Sequence, residues 1–385
     1  MTRRRVVIVR GHQATPWELR PWEELPRERF DVSVLVTKSN PYDLRGLRLR
    51  QLPARTRRDR VPVRAAAEAL TLAGHERYVD LERHLEGADI VHAEELSYWF
   101  AADAARYRRR LGYRLVLTVW ETIPMLDAYR NPHARRFREL TLAEADLFLA
   151  ATERARDALL LEGVDPAKVR VCPPGIDLSR FGGADRAPRP GEHLVLSPAR
   201  LVWEKGHQDV LRALALLRSG GAGTTPRVLI VGSGPEEQRL RAHAAELGLG
   251  DLAEVRASVP YDEMPGLYAR ASCLVLASLP HAGCSLLTGP PRCFWEEQFG
   301  MVLAEAMAAG LPILASDSGA IREVAGEGAT YFPAGDWVTL ARLLERGPLS
   351  GPPGARVQHD RERVELFSTT AAAERLAAAY DELLA

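Results

Sequence analysis

Glu297 and Glu305 stand at the two ends of the stretch Gln-Phe-Gly-Met-Val-Leu-Ala, within EEQFGMVLAEAMAAGLPILASDSG (Glu296–Gly319). Two carboxylates at that spacing, with a Phe-Gly pair between them, suit a ligand that is anionic in its middle and carries hydroxyls on either side. Gly300 to Ala309 is rich in strong helix formers. Gly310 fits a C-terminal stop, and Pro312 cannot continue the helix. Cys273–Ala277 before the helix and Ile313–Ala315 after it read as short buried strands. Strand, connection, helix and strand predict a βαβ unit with parallel strands. The loop before the helix then lies at the carboxyl end of the first strand, where open α/β sheets bind ligands. Amides at Phe299, Gly300 and Met301 would attract phosphate there, and Gly300 lets a ligand approach the backbone. Glu305 lies about 7–8 Å further along the axis, at ~1.5 Å per residue. It is a poor phosphate neighbour but a good acceptor for sugar hydroxyls. The plain alternative is an acid at the positive end of a helix dipole plus an exposed helical Glu. The surrounding pattern favours a ligand.

Composition narrows the class. At 385 residues the chain exceeds a usual single core, so two domains are expected. With 46% hydrophobic and 26% charged residues it is an ordinary globular chain rather than a disordered one. Its formal net charge of zero offers no global basic field for nucleic acid. No apolar run is long enough to span a bilayer. The N-terminal MTRRRVVIVRGHQ reads as a first β-strand rather than a signal peptide. Cys172, Cys273, Cys284 and Cys293 are too few for a disulfide scaffold, so a reduced, cytoplasmic protein is expected. The Arg-rich stretch Asp43–Arg64 reads as a solvated loop in preference to a patch for anionic lipid or an anionic acceptor, which leaves peripheral membrane contact open.

The elements that must position the acids recur along the chain. Apolar runs at Val6–Val9, Val32–Val36, Asp89–Ala93, Arg114–Val119, Asp146–Ala150 and Lys168–Cys172 predict strands, with helices at Ala65–Glu86 and Glu153–Glu162 between them. A second series follows at His193–Ala199, Arg227–Gly234, Ala253–Ser258, Cys273–Ser278, Pro312–Ser316 and Ala329–Ala334. Gly182–His193 has the Gly, Pro and charge content of a linker. Thr370–Leu384 reads as a last amphipathic helix. The pattern predicts two doubly wound α/β domains.

Further stretches carry a resemblance. Ser197–Leu214 (SPARLVWEKGHQDVLRAL) places Arg200 and Lys205 between a strand and a helix, and Val231–Leu240 (VGSGPEEQRL) places glycines at the next strand–helix turn. With Glu297-x7-Glu305 and Pro173–Asp177 (PPGID), the set resembles retaining glycosyltransferases of the GT-B fold, glycosyltransferase family 4 (glycosyl transferases group 1). The resemblance spans most of the chain and is strongest from Val171 to Ala334. It implies an α/β GT-B fold, two Rossmann-like domains facing across a cleft. Residues 1–185 would be the acceptor-side domain and 186–367 the nucleotide-sugar donor domain, with the helix at 368–385 packing back on the first.

The resemblance also implies roles. Arg200 and Lys205 would neutralise the donor diphosphate as it leaves. Glu297 would hold donor-sugar hydroxyls and Glu305 the ribose, while amides near Phe299, Gly300, Met301 and Val302 meet the diphosphate. Gly232, Val259 and Gly11 would also line the donor. The implied activity is transfer of a hexose-type sugar from a nucleotide diphosphate sugar, UDP favoured over GDP, to a small-molecule or glycan acceptor. Anomeric configuration would be retained, with no cofactor and no metal. An Asp-x-Asp motif is absent, and His281, Cys284 and Cys293 match no standard zinc spacing. An epimerase or hydrolase on the same fold, or a non-catalytic nucleotide-sugar-binding homologue, is the alternative; a dinucleotide dehydrogenase is disfavoured because no Gly-x-Gly-x-x-Gly opens the first turn. Two departures bear on the acceptor and donor sugar. Only Gly11 represents the Gly-rich turn after the first strand, and Trp120 and Glu121 stand where the family often has a His. His12, Glu94, Glu95, Trp120 and Glu121 follow strand ends and are acceptor-side candidates, a structural role being the alternative for each; His92 reads as a core histidine. Leu279–Trp295 is long for a strand-to-helix connection and reads as a loop, a functional lid in preference to a surface insertion.

Overall fold

A computed structural model describes residues 3–61, 76–126, 132–182, 191–220, 225–285 and 289–385. The chain divides into two compact units, Met1–Ile176 with Phe367–Ala385, and Asp177–Leu366. The division falls ahead of Gly182–His193, because Phe181 packs its ring on Tyr261 and Tyr268 of the second unit, with centroids 6.2 and 5.1 Å away.

The first unit is a seven-stranded parallel sheet. Its strands are β1 (Arg4–Ile8), β2 (Phe30–Thr37), β3 (Arg50–Ala54), β4 (Ile90–Glu94), β5 (Arg114–Val119), β6 (Leu147–Ala150) and β7 (Val169–Val171), in the order β3-β2-β1-β4-β5-β6-β7. Val6, Val7, Ile8, Leu115, Val116 and Leu117 are fully buried, as strands covered on both faces by helices must be. The order reverses between β1 and β4, a topological switch point that leaves a crevice at the carboxyl ends. The last helix, Thr369–Leu384, starts at Ser368, whose side chain accepts from Ala371 N. Its Tyr380 hydroxyl accepts from Trp22 Nε1 at 2.9 Å and bonds His92 Nδ1 at 2.6 Å, while His92 Nε2 bonds Thr118 Oγ1 at 2.8 Å. His92 is a core histidine, and burial pushes its pKa well below the usual value.

The second unit repeats the winding with six parallel strands. They are β8 (Leu194–Pro198), β9 (Arg227–Val231), β10 (Ala253–Arg256), β11 (Cys273–Leu276), β14 (Ile313–Ser316) and β15 (Ala329–Phe332), in the order β10-β9-β8-β11-β14-β15. β12 (His281–Ser285) and β13 (Gly289–Trp295) pair antiparallel as a separate two-stranded sheet. Here the switch lies between β8 and β11.

Three expectations are corrected. Leu279–Trp295 is not an irregular loop but carries the antiparallel pair β12 and β13, with register shifts; Gly283, Gly289, Pro290 and Pro291 lie within those strands. Of the expected helix Ala65–Glu86, residues 65–75 lie outside the described residues, and beyond them only Leu81–Leu85 is helical. Tyr78 instead bridges Thr56, because its amide is taken by buried Asp103 at 2.9 Å. The Arg-rich stretch contains β3, an edge strand that tolerates Pro53. Its Arg45, Arg48, Arg50 and Arg55 pair with Asp43, Glu23, Asp31 and Asp80 at 2.7 to 3.8 Å, as a solvated loop would. Among the described residues no helix is long and apolar enough to cross a membrane.

Candidate active site

The second unit's switch point brings the turn after β8 against the end of β11. Gly206 makes that approach possible. Its φ is +69°, and a Cβ there would lie 1.8 Å from the Ala277 carbonyl oxygen. Leu279 N donates to Glu204 O at 2.7 Å and seals the contact. His207, which the sequence reading passed over, braces the turn from inside. Its Nε2 lies 3.2 Å from the Arg200 carbonyl and its Nδ1 3.0 Å from Ser197 Oγ. A carbonyl only accepts, so Nε2 carries the proton and the Ser197 hydroxyl donates to Nδ1. Burial pushes the His207 pKa down to about 4, which keeps the ring neutral.

Lys205 is thereby held against Glu297. Its Nζ donates to both carboxylate oxygens, at 2.9 and 2.7 Å, and lies 4.6 Å from the Trp295 ring centroid. Ser278 Oγ donates to the same carboxylate at 2.6 Å. Ala320 N donates to the Glu297 carbonyl at 2.8 Å, and Gly319 lies so close that a Cβ would be 2.1 Å from that oxygen. Glu297 is 4% exposed. The sequence reading gave Lys205 to a diphosphate and Glu297 to a sugar as separate groups; here they form one buried ion pair. Arg200 is exposed and forms no ion pair among the described residues, so of the two cations it is the one facing solvent.

Glu305 sits in the helix Met301–Ala308 and is buried. Tyr268 donates to one of its oxygens at 2.5 Å and Tyr261 to the other at 3.2 Å. Burial raises its pKa to about 7, against the lowering effect of those two hydroxyls and of Arg180. Arg180 lies 4.5 Å from the Tyr261 ring and pairs with Asp262. The alternative of an exposed helical Glu is therefore excluded: this carboxylate is buried and held by two phenols.

Gly300 opens that helix with φ +80°, and a Cβ there would press on Leu303 and Leu276 at 3.0 and 3.1 Å. The amides at Met301 and Val302 start the helix and have no intrahelical acceptor. Phe299 is buried just ahead of that glycine. Gly232 is buried at the end of β9, where the Ala199 carbonyl occupies the space of a Cβ at 1.9 Å. Val259 is half-buried in the loop after β10. These residues, with Arg200, Lys205, Glu297 and Glu305, are carried by the second unit.

The remaining candidates belong to the first unit. The Gly11 amide, expected to meet the donor, donates to Tyr78 Oη at 3.0 Å. Its missing Cβ leaves room for the Phe100 ring, which a side chain would meet at 2.4 Å. His12 Nδ1 bonds Thr37 and Ser39 hydroxyls at 3.0 and 2.7 Å, and its Nε2 is 3.6 Å from buried Glu76. Glu121 accepts from the amides of Thr122 and Ile123, both at 3.0 Å, a local turn role. Glu94 accepts from Trp120 Nε1 at 2.6 Å and pairs with Arg10 at 3.4 Å. Glu95 adopts φ +61° and accepts from Trp120 N at 2.8 Å. Arg10 and Glu18 were missed by the sequence reading, since neither belongs to a motif. Among the described residues no cluster of side chains suits a metal ion, and the side chains of His281, Cys284 and Cys293 lie outside them.

Comparison with known proteins adds to this geometry. Residues 184–347 match the family model described as Glycosyl transferases group 1, and residues 22–180 match Glycosyltransferase Family 4. A D-inositol 3-phosphate glycosyltransferase of Nocardia farcinica is 32% identical over 63% of this chain and 54% of its own length. Another, of Actinosynnema mirum, is 29% identical over 99% of this chain and 89% of its own length. The chain spans 54 to 62% of the first curated relatives it matches. Among solved structures, Anabaena HepE in complex with UDP and glucose superposes with a TM-score of 0.71 at 16% identity, over 99% of this chain and all of that one. That likeness establishes the shared two-domain fold.

Proposed function

Because this chain belongs to the family 4, group 1 glycosyltransferases, we propose that it moves a hexose-type sugar from a nucleotide diphosphate sugar to a hydroxyl of a small-molecule or glycan acceptor, with retention and without a metal. The observation that carries the reading is the buried Lys205–Glu297 pair at the end of β8 and β11, flanked by the helix start at Gly300 and by Glu305 in its tyrosine clasp. HepE, in that complex, binds UDP and glucose. A UDP-sugar is accordingly the first donor to try, ahead of a GDP-sugar.

The residues divide the work as follows. Arg200, exposed and without an ion pair among the described residues, meets the diphosphate, with the amides of Met301 and Val302 on its other side. Donor-sugar hydroxyls bind Glu297 and replace part of its bond to Lys205. The Lys205 ammonium then turns toward the leaving phosphate, where charge grows in the transition state. Glu305 accepts from the ribose hydroxyls. The acceptor hydroxyl attacks from the face that the phosphate leaves, through an oxocarbenium-like species, and the departing phosphate oxygen takes its proton. No protein base is required.

The test is to incubate the chain with UDP-glucose, UDP-N-acetylglucosamine or GDP-mannose, with and without acceptor, in the presence of EDTA. Acceptor-dependent release of nucleoside diphosphate and an anomeric coupling in the product equal to that of the donor are expected. Conversion of the sugar nucleotide to an epimer with no acceptor present would replace this reading with the epimerase one.

A further inference from the structure

Glu305 is closed off on both sides. It is 5% exposed, and each of its carboxylate oxygens already accepts from a phenol. A ribose hydroxyl gains good access to it only when one of the two phenols gives way. The two are not held alike. Tyr268 is fully buried in the helix Met264–Arg270, with its hydroxyl 2.5 Å from the carboxylate and its ring centroid 5.1 Å from that of Phe181. Tyr261 is half-buried and stands just ahead of that helix, in the single turn Tyr261–Glu263. Its bond to Glu305 is 3.2 Å, long for a hydroxyl donor, whose usual distance is about 2.7–2.8 Å. Against its ring lie Phe181, with centroids 6.2 Å apart, and the Arg180 guanidinium at 4.5 Å, the latter paired with largely exposed Asp262. An ion pair open to solvent at one end adds little to that hold.

We propose that the Tyr261 hydroxyl is a stand-in for a ribose hydroxyl on Glu305, and that a nucleotide donor binds by displacing it. In the empty site it gives a buried carboxylate oxygen a donor, and a buried acceptor without one is costly. When the nucleotide enters, a ribose hydroxyl donates to the oxygen that Tyr261 releases, and the phenol, at its half-buried position, bonds water instead. Tyr268 stays in place and keeps the carboxylate aimed. The exchange trades one hydrogen bond for another, so the nucleotide binds against an internal competitor. After transfer the same competitor favours release of the nucleoside diphosphate. A Tyr261 that only held up the site would act in the opposite sense, because its loss would loosen Glu305 and weaken every ligand that Glu305 binds.

The inference rests on the transferase reading, in which Glu305 accepts from the ribose, but its test does not need turnover. Calorimetry on the full chain at pH 8, above the Glu305 pKa of about 7, uses UDP, GDP and their 2′,3′-dideoxy analogues. For whichever ribonucleotide binds more tightly, Tyr261→Phe should raise the affinity by about threefold or more, the scale of one net hydrogen bond. The dideoxy analogue, which has no hydroxyl to put in the vacated place, should gain nothing. Tyr268→Phe should weaken the ribonucleotide. An unchanged or lower ribonucleotide affinity in Tyr261→Phe, or a like gain for the dideoxy analogue or in Tyr268→Phe, would overturn the proposal and leave the transferase reading standing. Failure of the unmodified chain to bind either ribonucleotide would remove both.

Discussion

Lys205 and Glu297, 92 residues apart in sequence, are joined through both carboxylate oxygens at 2.9 and 2.7 Å. The pair couples the stability of the second unit to the chemistry proposed for it. Removing one partner leaves a buried charge uncompensated, at a cost of about 3–5 kcal/mol. Lys205→Ala should therefore lower the urea midpoint as well as turnover. The double variant Lys205→Met with Glu297→Gln should regain most of the stability and none of the turnover. Equal loss of stability in the single and double variants would show that the pair is not what holds the turn.

Arg200 gives the opposite expectation. It is exposed, and among the described residues it forms no ion pair. Arg200→Ala should leave the unfolding midpoint unchanged and lower turnover by roughly a hundredfold or more, the usual loss for one well-placed charge donor. Steady-state rates beside a denaturation curve check both halves of the prediction.

Glu305 makes donor affinity depend on pH. Its carboxyl, raised to about 7 by burial, is the stronger hydroxyl acceptor when ionised. The KM for a nucleotide sugar should fall about tenfold from pH 6 to pH 8, following the ionised fraction of a group with a pKa of about 7. Tyr268→Phe removes the 2.5 Å donor to the carboxylate and should move that transition to higher pH. Stability runs the other way. Between about 4.5 and 7 the folded chain keeps a proton that the unfolded chain has released, so this group's contribution to stability falls as pH rises through that window and is flat above it.

Gly206→Ala tests the approach of the β8 turn to β11. The added methyl would lie 1.8 Å from the Ala277 carbonyl, on a backbone with φ +69°. The turn must move, and Lys205 moves with it. A drop in melting temperature and loss of turnover are expected, whereas Gly250→Ala, which has open space around it, should change neither.

Much of the fold was legible because buried parallel strands are written as unbroken apolar runs. Val6–Ile8, Leu115–Leu117 and Cys273–Leu276 are such runs, and each belongs to a central strand. The helix Met301–Ala308 and its glycine start were legible for a local reason, since propensity and the stop at Gly310 act within one turn. The edge strand β3 and the two strands of the separate antiparallel pair were not. β3 hides in an Arg-rich stretch with Pro53, and β12 and β13 are rich in Gly and Pro. Such strands bury little, so no apolar period marks them.

For the candidate site, the sequence by itself determined which residues are chemically able to act: Arg200, Lys205, Glu297 and Glu305, spaced about two strand–helix turns. Only the tertiary structure decided what each one touches. β8 and β11 are neighbours because the sheet reverses its order between them, and that reversal sets Lys205 on Glu297 and not on solvent. Tyr261 and Tyr268 reach Glu305 from a segment that no motif marks. Arg10, Trp120 and Glu94 meet because β1, β4 and β5 end side by side. Side-chain type and local spacing are properties of the chain. Partnership, burial and the pKa that follows from burial depend on contacts between distant segments, and those arise only when the sheet is assembled.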